Sequence, residues 1–137
     1  MLCTLLLVYL TPLKWVTVIQ PMTKDVDPAT FYNDYKNHPQ DFIFIDVRSA
    51  DEYQTLHAEG AVNIALTSLY DIHDTLPKRG KEIVLICSGG RESGIAYMYL
   101  QHYGFFNIER VNGGLKNWVL EKLPVESSLQ ATSSAVQ

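Results

Sequence analysis

From Asp27 onward, short apolar runs alternate with longer stretches in which apolar residues recur every three or four positions. The first pattern predicts strands buried between helices, and the second predicts amphipathic helices laid upon them. Strands are predicted over residues 41–47, 61–64, 83–86 and 108–111. Asp27-Pro28 opens a helix that carries Phe31 and Tyr35, with an acidic cap and a proline in the first turn, where its missing N–H goes unneeded. A short helix begins over residues 49–53, another fills residues 69–76 up to Pro77, and a closing helix spans residues 114–121. Between the last two strands, Ser93 reads as an N-cap, Ile95, Met98 and Tyr99 share one helical face, and Gly104 reads as a left-handed C-cap. This alternation predicts an α/β fold with a parallel sheet.

The two ends fall outside the pattern. Residues 1–22 are an apolar segment interrupted by Pro12 and Lys14. A lysine near the middle of a membrane span costs ~3 kcal/mol, so the segment is a marginal spanning element. It lacks the basic start and the Ala-x-Ala site of a secretory signal. Two readings stay open: a membrane tether formed by residues 1–20, or an extension ahead of a biological start at Met22. Residues 127–137 are rich in Ser, Thr, Ala and Gln and are expected to be a disordered tail.

Composition narrows the function. The 137 residues are 47% hydrophobic and 19% charged, which suits one domain with a sizeable core. A net charge of −4 argues against nucleic acid as a partner, since phosphate binding wants a basic face. Cys3 and Cys87 lie in very different segments, so a disulfide between them is not expected and a reducing, cytoplasmic setting fits. No His and Cys have zinc spacing. The four histidines are expected at the surface or the edge of the core. Asp46 and Arg48 point the same way from a strand edge and are expected to pair with neighbouring loops as a structural ion pair, and Trp118 to pack the core. Tyr97, Tyr99 and Tyr103 are expected to pack the sheet.

Candidate chemistry concentrates in residues 81–100, which read as a buried strand, a thiol at its tip, a glycine-bearing loop and a helix. A cysteine so placed sits among backbone N–H groups at a helix N-terminus, an environment that favours a thiolate and offers an anion a place to bind. Buried inert cysteine is the competing reading for an isolated strand-end Cys. Ser-Gly-Gly-Arg directly after it, and then a helix start, favour the nucleophile.

Residues 87–93 and four further segments together resemble single-domain rhodaneses, sulfurtransferases that carry sulfur as a cysteine persulfide. The segments are Phe42-Ile-Phe-Ile-Asp46-Val-Arg48, Asp51-Glu52-Tyr53, His57-Ala-Glu-Gly60-Ala61-Val-Asn63-Ile64, and Val111-Asn-Gly113-Gly114-Leu115-Lys-Asn-Trp118. They stand in family order across residues 23–126, and ordered motifs are far more specific than any single one. The resemblance implies a rhodanese-like fold, a central parallel five-stranded sheet flanked by helices on both faces. It also implies a Cys87 persulfide that moves sulfane sulfur from thiosulfate or another persulfide to a thiophilic acceptor, with no cofactor.

In that reading Cys87 is catalytic, and Ser88, Gly89, Gly90, Arg91, Glu92 and Ser93 bind the substrate. The implied partners are a small sulfur-containing substrate and a sulfur-acceptor protein. Rhodaneses often carry a basic residue directly after the cysteine and an arginine five positions after it; Ser88 and Glu92 stand there, and the arginine is Arg91. One cation and one carboxylate attract a dianion such as thiosulfate less than two cations would. The related phosphatases and arsenate reductases need Cys-x5-Arg, and Ser93 occupies that arginine's place, which disfavours both. A catalytically silent interaction module on the same fold is the other alternative.

Overall fold

A computed structural model describes residues 23–128. The expected tether at residues 1–22 and nearly all of the expected tail lie outside the described residues.

Five strands form one parallel sheet: β1 (Asp25–Val26), β2 (Phe42–Asp46), β4 (Val62–Asn63), β5 (Glu82–Ile86) and β6 (Ile108–Val111), in the order β1-β6-β5-β2-β4. A second, antiparallel pair joins β3 (His57–Ala58) to β7 (Val125–Glu126). The central strand β5 alternates between two cores. Ile83 and Leu85 face one side with Ile45, Val47 and Leu69, while Val84 and Ile86 face the other with Phe31, Phe44 and Trp118.

Each face is covered by helices whose buried residues match it. Helices α3 (Leu66–Ile72) and α4 (Arg91–His102) cover the first face through Leu69, Ala96, Tyr97 and Leu100. Helices α1 (Pro28–Asn37) and α5 (Gly114–Leu120) cover the second through Phe31, Leu115 and Trp118, and the short α2 (Ala50–Thr55) adds Tyr53. The expected parallel five-stranded sheet with helices on both faces is therefore present. Asp27 caps α1 by accepting from the Thr30 N–H at 3.0 Å.

Several local expectations are corrected. Helix α3 starts at Leu66, three residues early, because the Leu66 N–H donates to the Val47 carbonyl at 2.9 Å and anchors the turn there. It ends at Ile72, and a 3-10 turn over His73–Thr75 completes the run to Pro77. Ser93 is not the cap of α4. Gly90 is, with a left-handed φ of 109° that a side chain would oppose. With the helix started there, residues 93, 96, 97 and 100 face the sheet, and Ile95 and Met98 stand 44% and 53% exposed on the outer face. Tyr97 packs the sheet as expected, whereas Tyr99 and Tyr103 pack chiefly against Tyr70 and His73 between α3 and α4. Gly104 ends α4 as expected: its N–H reaches the Gln101 carbonyl and the Phe105 N–H the Leu100 carbonyl, both at 3.0 Å.

Of the four histidines, His38 and His102 are exposed and His57 and His73 are buried beside the core; His57 stacks on Tyr53 at 3.7 Å, and its Nδ1 lies 2.7 Å from the Tyr53 carbonyl. Asp46 and Arg48 form a buried ion pair with each other, at 2.7 Å, rather than with neighbouring loops. Arg48 also donates to the Leu56 carbonyl, and the Asn63 amide donates to the carbonyls of Asp46 and Arg48. These bonds fix the exit of β2 against α2 and β4, next to the tip of β5.

Candidate active site

Cys87 follows the last residue of β5 and has no exposed surface. Its Sγ accepts the Gly90 N–H at 3.0 Å and lies 3.3 Å from the Ser93 hydroxyl, to which the thiol donates. The Ser93 hydroxyl in turn donates to the Gly90 carbonyl at 3.3 Å. Three residues thus close a small ring around the sulfur. A hydroxyl rotates to suit its surroundings, so Ser93 can equally turn and donate to an ionised sulfur. The structure therefore brings Cys87, Gly90 and Ser93 together. Ser88, Gly89 and Arg91 stand exposed along the rim, with Glu92 half-buried beside them.

Two outside elements hold the loop in this shape. The first turn of α5 donates from Leu115 N–H to the Cys87 carbonyl at 2.7 Å and from Lys116 N–H to the Ser88 carbonyl at 3.0 Å. Taking up those carbonyls fixes the orientation of the peptides at the start of the loop. Such an approach demands glycine at 114, where a Cβ would lie 2.4 Å from the Cys87 carbonyl oxygen. On the other side Arg110, bound to the Asp25 carboxylate at 2.7 and 2.8 Å, donates to the Gly90 carbonyl at 3.2 Å. Gly94 leaves room for that guanidinium, since a Cβ there would meet it at 2.9 Å.

Glu52 also reaches the rim. Its carboxylate closes a capping box with Ser49 at the start of α2 and extends its other oxygen to the Ser88 hydroxyl at 3.5 Å, the long limit of such a contact. Hydrogen bonding from the Ser49 hydroxyl, opposed by burial and aided by the Ser49 N–H and the nearby Arg48 guanidinium, holds the Glu52 carboxyl below its ordinary value.

Gly114, Arg110 and Glu52 escaped the sequence reading as parts of the site. The paired glycines at 113 and 114 were a signal, since a tight turn alone needs only one. Ser-x-x-Glu at 49–52 signalled a capping box but not its neighbour, and nothing local marked Arg110.

Comparison with known proteins now decides the family, because a rhodanese-like domain model matches residues 27–121. The chain belongs to the rhodanese-like domain family. It is 35% identical over 81 residues to the thiosulfate sulfurtransferase PspE of Escherichia coli, covering 58% of this chain and 77% of that protein. It is 33% identical over 82 residues to a tRNA uridine(34) hydroxylase of Pectobacterium atrosepticum, covering 55% of this chain but 22% of that one. Among solved structures, a rhodanese-related protein from Thermoplasma volcanium superposes with a TM-score of 0.63 at 26% identity, covering 75% of this chain and 97% of that one. The shared unit is the rhodanese-like domain; relatives such as the hydroxylase extend well beyond it.

Proposed function

We propose that the protein is a sulfurtransferase that carries sulfane sulfur as a persulfide on Cys87. The observation that carries this reading is the Gly90 N–H directed at Cys87 Sγ at 3.0 Å, in a loop whose peptides are fixed from both sides. A donor amide aimed at a sulfur lowers the energy of negative charge there without reorganising during the reaction.

In the first half-reaction the Cys87 thiolate attacks the outer sulfur of a donor. A new S–S bond forms, the donor's S–S bond breaks, and the leaving group departs with the electron pair: sulfite from thiosulfate, or a thiolate from an organic persulfide. When sulfite leaves, the outer sulfur carries the charge near the Gly90 N–H; when a thiolate leaves a neutral hydropersulfide, the thiolate takes the charge and Cys87–S–SH remains until it loses its proton, after which the Ser93 hydroxyl can turn toward the sulfur. In the second half-reaction a thiophilic acceptor such as cyanide, a thiol or a protein sulfur carrier attacks that outer sulfur, and the Cys87 thiolate is regenerated. No external oxidant or reductant enters, and no resident cofactor is required.

One observation favours the alternative of a catalytically silent docking module: Cys87 has no exposed surface. A module that only binds partners needs no reachable thiol. Mass spectrometry separates the two readings. After exposure of the reduced protein to thiosulfate or an alkyl hydropersulfide, a gain of one sulfur at Cys87, discharged by cyanide and missing in Cys87→Ala, supports transfer. A folded protein that gains no sulfur from either donor overturns it.

A further inference from the structure

The rim of the Cys87 loop has an unusual balance of charge. Within the loop Arg91 is the one cation and half-buried Glu92 follows it; the nearby guanidiniums of Arg110 and Arg48 are each paired with a carboxylate, of Asp25 and Asp46, and exposed Glu52 joins from α2 through the hydroxyl of Ser88, the residue next to the nucleophile. Glu52 does not swing freely, because its other oxygen accepts the Ser49 hydroxyl at 2.8 Å and the Ser49 N–H at 3.3 Å. These bonds favour its ionised form and fix it beside the loop.

We infer that Glu52 is a specificity-determining residue of the Cys87 site: its fixed carboxylate opposes doubly charged donors and reserves the thiol for sulfur carried as a persulfide on another thiol. The inference rests on the sulfur-transfer reading above and names its substrate class. Repulsion between like charges doubles when the incoming donor carries two charges instead of one, whereas the carbon-bound part of a thiol persulfide adds none. The favoured step balances without a co-reactant. Cys87–S⁻ attacks the terminal sulfur of R–S–SH, the donor's S–S bond breaks with its electron pair leaving on the inner sulfur, and the products are Cys87–S–SH and R–S⁻.

The test uses the full chain with glutamate, glutamine and lysine at position 52. Glu52→Gln keeps the capping box, because glutamine serves at that position as well as glutamate, and removes only the charge. At low salt the KM for thiosulfate is expected to fall about threefold to tenfold in Glu52→Gln and further in Glu52→Lys, with the gain shrinking as salt is added. The KM for an alkyl hydropersulfide is expected to change much less. A parallel readout needs no sulfur transfer: the ratio of alkylation rates at Cys87 by anionic iodoacetate and neutral iodoacetamide, followed on the Cys87 peptide, should rise in the same order. Glu121→Gln, at the far end of α5, serves as the control and should leave both readouts unchanged.

Unchanged thiosulfate KM and unchanged alkylation ratio in a Glu52→Gln protein of wild-type melting temperature overturn the inference. A fall in both variants without the Glu, Gln, Lys order overturns it too, because a merely structural role would not follow charge. If no form takes up sulfur while the alkylation ratio still follows the charge, the sulfur-transfer reading fails and the assignment of Glu52 as the charge filter of Cys87 stands.

Discussion

The two ends of the parallel sheet hold polar groups in opposite ways. At the C-terminal ends, α4 and α5 begin beside Cys87, so the loop is set by backbone: the Leu115 and Lys116 amides, the Gly90 amide, and one guanidinium. At the N-terminal ends, β2 and β5 begin with Phe42 and Glu82 in an open cleft of about 480 Å³, where the flexible Lys24 bridges Glu82 and Glu109 and where Asp34, Asp41 and Lys81 also stand. The asymmetry follows from direction. Crossover helices start where parallel strands stop, so unpaired helix N–H groups and their partial positive charge gather at one end only. Rigid amides can aim at a sulfur; a lysine in an open cleft gains little beyond a screened attraction.

Breaking the first end should therefore hurt far more than breaking the second. The largest effect is expected from Gly114→Ala, which forces a methyl to 2.4 Å from the Cys87 carbonyl oxygen at a φ of 61°. Loss of roughly 2–4 kcal/mol in denaturant unfolding is expected, with sulfur transfer down on the order of 10- to 100-fold through displacement of the loop. An intermediate effect is expected from Arg110→Met, which frees the Gly90 carbonyl and leaves Asp25 without its guanidinium: about 1–2 kcal/mol of stability. Its transfer rate should fall with a mostly unchanged donor KM, and Arg110→Lys should recover stability better than rate, because a single ammonium cannot reach both partners. The smallest effect is expected at the other end. Lys24→Met should change stability by less than about 1 kcal/mol and leave sulfur transfer unaltered at any salt. If Lys24→Met instead slowed transfer as much as Arg110→Met, the division between the two ends would collapse.

The sequence revealed what repeats and hid what is brief. Residues 42–46, 83–86 and 108–111 were legible because buried parallel strands are continuous apolar runs, and Cys87 was legible because it ends one of them. β1, β3 and β7 are two residues long, and their existence depends on partners such as Arg110 and Val111 that no local pattern can announce. The face of α4 is ambiguous in the sequence because apolar residues surround that helix; the Gly90 start and Ser93 meeting Cys87 accompany the face that buries Ala96, Tyr97 and Leu100 rather than Ile95 and Met98. For the same reason Ser93, expected to cap the helix, instead faces inward and meets the Cys87 thiol. Glu52, Arg110 and Gly114 act across long separations and became visible only when the chain was folded.

Enclosure of the sulfur also bears on durability. With Cys87 fully covered, every reagent that reaches it must wait for the same local opening of the loop, so a sulfur donor, an alkylating probe and a peroxide all inherit one common factor in their rates. A residue change that loosens the loop, such as Arg110→Met, should then quicken alkylation and irreversible oxidation of the thiol together, even where it spoils the geometry that sulfur transfer needs, so that the enclosure guards the sulfur as well as aiming the Gly90 amide at it.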